Sequence, residues 1–162
     1  MSATSGDHDI VQLCAFRVGA EEYVVDIMRV REILRPQPIT RVRKGPQYVE
    51  GVINLRGAVI PIVDLRRRFD LPAEDHAQVK TVILGIEGRV VGLVVDAVTE
   101  VARVPRSAIR VAPGLLTPDR APFFQGICHH RNRLLTLLNV KNIIATDEPI
   151  RAVVAAELEE GP

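Results

Sequence analysis

The sequence is poor in aromatic side chains: no tryptophan, two tyrosines and four phenylalanines stand among its 162 residues. Base stacking and aromatic cages both need rings on a surface, so this scarcity weighs against those modes of recognition. An excess of charge of either sign is also missing. The 21 Lys and Arg residues are met by 20 Asp and Glu, a formal charge of +1, which lacks the bulk field of a nucleic-acid or anionic-membrane binder. Apolar runs are short. Val90–Val95 is interrupted by Gly92 and falls far below the ~20 residues of a membrane-spanning helix. Met1–Asp9 is polar and has no basic stretch leading into an apolar one, so no secretory signal is expected, only a disordered tail. Only Cys14 and Cys128 carry thiols; two buried thiols in a reducing cytosol are the expectation over a lone disulfide.

What is present is β-branched. Hydrophobic residues make up 47% of the chain, with 23 Val and 14 Ile against 14 Leu, a balance that favours strands over helices. The chain also repeats itself. Gly51–Phe69 (GVINLRGAVIPIVDLRRRF) returns 75 residues later as Gly126–Ile144 (GICHHRNRLLTLLNVKNII), pairing Gly51 with Gly126, Arg56 with Arg131 and Asp64 with Asn139. The turn pairs Gly57 with Asn132, the two residue types that most readily accept positive φ. Tyr23–Ile33 (YVVDIMRVREI) returns at an offset of 68 as Val91–Val101 (VGLVVDAVTEV), where Val30, Glu32 and Ile33 match Val98, Glu100 and Val101. The offset grows because the second linker is longer, a change that costs little in a surface connection. Duplication is the reading of these two ordered blocks.

Each unit reads as hairpins: Ile10–Val18 with Glu21–Ile27, and Thr81–Ile86 with Arg89–Val95, then Val52–Leu55 with Ala58–Val63 around Arg56-Gly57. Pro61 has no amide donor, so its strand is expected at an edge or bulged there. Asp64 suits the cap of a helical turn over Arg66–Phe69. About five short strands per unit predict an all-β fold of two small five-stranded SH3-like barrels related by duplication. The expected limits are a tail over 1–9, a first barrel over 10–80, a second over 81–145, and a C-terminal helix and tail over 146–162.

A search for chemistry finds little. The adjacent His129 and His130 face opposite sides of a strand and cannot chelate one metal together, and Cys128 with His130 lacks a third ligand. No nucleophile-elbow, phosphate-loop or zinc-helix motif occurs. Asp26, Asp64 and Asp96 read as turn or cap formers. The expectation is no enzyme, no metal and no cofactor. Arg41, Arg43 and Lys44, and Arg66, Arg67 and Arg68, read as solvated faces; a small β-barrel binding nucleic acid is the alternative function they leave open. Arg56 stands apart at a hairpin tip, where it either forms a structural ion pair or loop contact, or presents its guanidinium to a partner.

Three segments, Val49–Phe69, Glu21–Ile33 and Ile86–Val98, resemble the CheW-type coupling proteins of bacterial chemotaxis arrays, and the resemblance runs from about Leu13 to Ile144 as one CheW-like domain. It implies paired SH3-like barrels and a non-enzymatic adaptor. The implied partners are the cytoplasmic tip of methyl-accepting chemoreceptors and the regulatory domain of a CheA-type histidine kinase, with no nucleic acid and no insertion into the membrane. The implied place is the cytoplasm, at receptor arrays on the membrane. Receptor-coupling positions of the family match Val30, Glu32, Gly51, Arg56, Val82 and Val101; none is assigned to the kinase. Asn139 stands where that family commonly has Asp.

Overall fold

Ten strands and two short helices account for most of the described chain. The computed structural model describes residues 9–41, 49–68, 79–111 and 121–145. The strands are β1 (Ile10–Val18), β2 (Glu21–Asp26), β3 (Val30–Leu34), β4 (Val49–Leu55), β5 (Ala58–Asp64), β6 (Lys80–Ile86), β7 (Arg89–Val95), β8 (Ala97–Pro105), β9 (Phe124–His130) and β10 (Arg133–Leu138). Helix α1 is Leu65–Arg68 and α2 is Val140–Ala145. The C-terminal helix expected over 146–162 and the tail up to residue 8 lie outside the described residues.

The strands form two five-stranded sheets, ordered β8-β1-β2-β10-β9 and β3-β6-β7-β5-β4. Moving every strand on by five in the first order gives the second. Both sheets carry one parallel pair, β2 with β10 and β7 with β5. The expected division near residue 80 therefore separates repeats but not sheets. The first repeat places its hairpin β1–β2 in one sheet and β3–β5 in the other; the second repeat does the reverse. Irregularities repeat with the same offsets. Arg31 and Thr99 are the extra residues in β3 and β8, and Glu50 and Gln125 those in β4 and β9. Arg56 and Arg131 sit at equivalent tips with φ of 50° and 52°, each followed by a second positive φ at Gly57 (89°) and Asn132 (64°). Two successive positive φ values match the right-handed twist of the flanking strands.

Burial explains why the inner strands β5, β6 and β7 read as nearly continuous apolar runs, while the edge strands β3 and β8 alternate. Val11, Leu13, Ala15, Val24, Cys128 and Leu135 pack within the first sheet, and Ile53, Ile60, Ile62, Ile83 and Val94 within the second. The largest cluster joins the sheets, bringing Phe16, Val18 and Tyr23 against Val82, Leu84, Leu93 and Val95. Edge strand β4 of the second sheet is joined to the chain beyond β3 through one isolated bridge, Thr40–Val52, and the first sheet has the matching bridge Arg110–Ile127.

Pro61 corrects the expectation of an edge or a bulge: β5 lies between β7 and β4, and the bulge falls at Glu50. Val52, opposite Pro61, directs both its backbone groups to Thr40, so β4 asks no donor of Pro61. On the other side the ladder with β7 begins only at Ile62. Cys14 and Cys128 are free and buried in different apolar clusters, as expected of two buried thiols. Burial pushes both thiols up from their usual pKa.

Candidate functional site

Five of the six positions that the resemblance matches to receptor coupling belong to one sheet: Val30 and Glu32 on β3, Gly51 on β4, Arg56 at the β4–β5 tip, and Val82 on β6. Val101 lies on β8 of the other sheet. The structure divides them by exposure. Arg56 and Val101 face solvent, with 68% of the Arg56 side chain and 49% of Val101 exposed. Val30 and Glu32 are half-buried, while Gly51 and Val82 are buried.

Arg56 forms an ion pair with Glu32 across the two edge strands of the sheet. Of the structural alternatives left by the sequence the contact is the ion pair, made to β3 rather than to loop carbonyls, and the guanidinium stays exposed beside it. The hydrogen bond and charge of Glu32 raise the Arg56 pKa. Asn54 supports the turn, its Oδ1 accepting the Gly57 N–H at 3.0 Å. A left-handed backbone at Arg56 and Gly57, one side-chain hydrogen bond and one ion pair thus hold an exposed guanidinium in place.

Gly51 and Val82 are buried within the same sheet. A Cβ at Gly51, where φ is 152°, would lie 2.1 Å from the Thr40 carbonyl oxygen, so the Thr40–Val52 bridge requires glycine. Val82 pairs with Ile33 and packs in the core shared by the sheets. Ile33, outside the six matched positions, is 42% exposed and occupies on β3 the place Val101 has on β8. Its signal was the duplication itself, which aligns the two. Both strands are sheet edges, where unpaired backbone groups and an apolar side chain suit docking.

The second tip departs from this symmetry. Glu100, the counterpart of Glu32, is held by Arg133, which also pairs with Glu22 at 2.8 Å. Among the described residues Arg131 has no ion-pair partner, although it matches Arg56 in backbone and position.

Arg66 corrects the expected solvated face. It is buried on α1, with Nε 3.0 Å from Asp64 and Nη1 3.1 Å from Asp96. Asp64 Oδ1 accepts the Arg66 N–H, so Asp64 caps as expected, and Asp96 accepts from the Gly19 N–H at the β1–β2 turn. Burial alone would raise the Asp64 pKa, but the hydrogen bonds and charge of Arg66 hold it below the usual carboxylate range. The cluster joins α1, β5 and the β7–β8 corner to the other sheet. It also removes Arg66 from any phosphate-binding face, and Arg43 and Lys44 lie outside the described residues. The described aromatics, Phe16, Tyr23, Phe123 and Phe124, are buried, leaving no stacking platform among the described residues. No group of three or more His, Cys, Asp or Glu among the described residues is placed to hold a metal ion, and no described helix is long and apolar enough to cross a membrane.

The family model for the CheW-like domain matches residues 12–148. The chain is 38% identical over 138 residues to the chemotaxis protein CheW of Rhizobium meliloti, covering 85% of this chain and 89% of that one. It is 36% identical over 148 residues to a probable chemotaxis protein CheW of Rhizobium etli, covering 91% and 94%. The crystal structure of the scaffolding protein TtCheW from Thermoanaerobacter tengcongensis aligns with a TM-score of 0.74 at 31% identity, over 80% of this chain and 88% of that one.

Proposed function

The chain belongs to the CheW-like domain family, whose members are chemotaxis scaffold proteins rather than enzymes, and on that premise we propose that it couples methyl-accepting chemoreceptors to a CheA-type histidine kinase. The receptor's cytoplasmic tip meets the β3 edge and the β4–β5 tip, with Val101 on β8 continuing the contact. The observation that carries this reading is Arg56: an exposed cation fixed at a left-handed turn and braced by Glu32. A pre-set guanidinium loses little freedom on docking and can engage a carboxylate with two hydrogen bonds. Gly51 and Val82 support that surface without reaching it. The adaptor would accordingly work in the cytoplasm at receptor arrays.

Arg56→Ala separates coupling from folding. The ion pair with Glu32 is exposed and screened by solvent, so its loss changes stability little. Removing a guanidinium that becomes desolvated against a partner leaves a complex roughly thirtyfold weaker. Calorimetric titration of a receptor signalling fragment and thermal melting, on the same purified variant, read both quantities. A lowered melting temperature with unchanged receptor affinity would make Arg56 scaffolding.

A further inference from the structure

The duplication sets two equivalent corners of the molecule side by side, and they differ in one respect. In one corner the Arg66 cation is enclosed by Asp64 and Asp96, with Glu50 also hydrogen-bonded to Asp64. The register gives the counterpart of each residue in the other corner: Lys141 for Arg66, Asn139 for Asp64, Gln125 for Glu50 and Met28 for Asp96. The cation is kept there, and all three acids are replaced by uncharged residues. Asn139 still does the capping part of the work, its Oδ1 accepting the Asn142 N–H at 3.0 Å.

That second corner is open. A cleft of about 350 Å³ lies among Asp26, Arg29, Arg106, Gln125, Asn139 and Lys141, with Ile86 and Leu138 contributing apolar surface. Three cations meet one carboxylate, and the Asp26 Oδ1 already accepts the Met28 N–H. Arg106 pairs with Asp9; among the described residues Arg29 and Lys141 have no ion-pair partner. The volume falls in the range of small-molecule sites, roughly 300–1,000 Å³. We propose that this cleft binds the phosphate group of a small phosphate ester, the bound anion standing where the internal carboxylates stand in the first corner. Lys141 and Arg29 supply the charge, and the amides of Gln125 and Asn139 supply neutral donors that do not repel it. The buried aromatics leave no ring there to stack a base, so the organic part is small and rests on Ile86 and Leu138. The cleft is lined by none of the six positions matched to receptor coupling and does not depend on the coupling reading.

Titration of glycerol phosphate into the isotopically labelled full chain, followed by amide chemical shifts, tests this. Saturable shifts confined to Arg29, Gln125, Asn139 and Lys141 are expected, with acetate at matched ionic strength leaving them unmoved. Lys141→Gln, at an exposed position, weakens binding at least about tenfold. Asn139→Asp restores the carboxylate of the other corner and keeps the cap; it abolishes binding with the melting temperature unchanged. Shifts that grow linearly and spread over many surface arginines would overturn the proposal. So would an equal response to acetate, or a wild-type affinity in Asn139→Asp.

Discussion

A methyl group at position 51 would lie 2.1 Å from the Thr40 carbonyl oxygen, on a backbone with φ of 152°. Position 57 also has positive φ, 89°, but an added Cβ meets nothing within 4 Å. The pair separates clash from strain. Gly57→Ala is expected to cost about 1 kcal/mol, the penalty of a left-handed conformation alone. Gly51→Ala adds displacement of the Thr40 segment and is expected to cost about 2 kcal/mol or more. Urea midpoints of the two variants check the difference; equal midpoints would mean the chain beyond β3 gives way freely. Gly51 was visible in the sequence as a repeated glycine, because Gly126 makes the same close approach, 2.7 Å to the Arg110 carbonyl oxygen. The burial of Arg66 was not visible. Three consecutive arginines read as a solvated run, and the acid that encloses the first of them from afar, Asp96, lies 30 residues away.

Among the elements, β3 and β8 are the edges on which the duplication places matching apolar residues, Ile33 and Val101. Beside Ile33, on the neighbouring strand β6 of the same sheet, lies Val82, 0% exposed. The family-matched positions therefore divide into a surface and its support. Val101→Lys reaches water and is expected to leave stability within about 0.5 kcal/mol of the wild type while weakening receptor binding. Val82→Ala opens the shared core and is expected to cost about 2 kcal/mol, with receptor affinity preserved per folded molecule. Urea unfolding and receptor titration of both variants check the assignment, and the reverse pattern would contradict it. Hairpins were the legible elements, since alternation and Gly-marked turns are local signals. The place of β5 was not. An unpaired proline nitrogen is tolerated in a sheet interior where its neighbour bonds elsewhere, and Val52 bonding to Thr40 is a tertiary fact that no local pattern carries.

For the whole molecule, the exchange of hairpins between repeats is what binds the halves together. Neither repeat holds a complete sheet: β1–β2 need β8, β9 and β10, and β6–β7 need β3, β4 and β5. Chain cleaved between Asp75 and His76 is expected to yield fragments that lack dispersed amide spectra alone and regain them when mixed. A folded first fragment would show that one repeat suffices. Repetition was readable from Gly, Arg and Glu at constant offsets. The exchange was not, because local pattern does not say which sheet a hairpin joins. The central claim, that this fold serves as a bridge, is tested most directly by sedimenting receptor signalling fragments in membrane-mimetic arrays with a CheA-type kinase. The kinase is expected to pellet with receptor when the full chain is present and to remain largely in the supernatant when it is left out. Kinase pelleting to the same extent with and without the chain, or the chain pelleting with neither partner, would contradict the account.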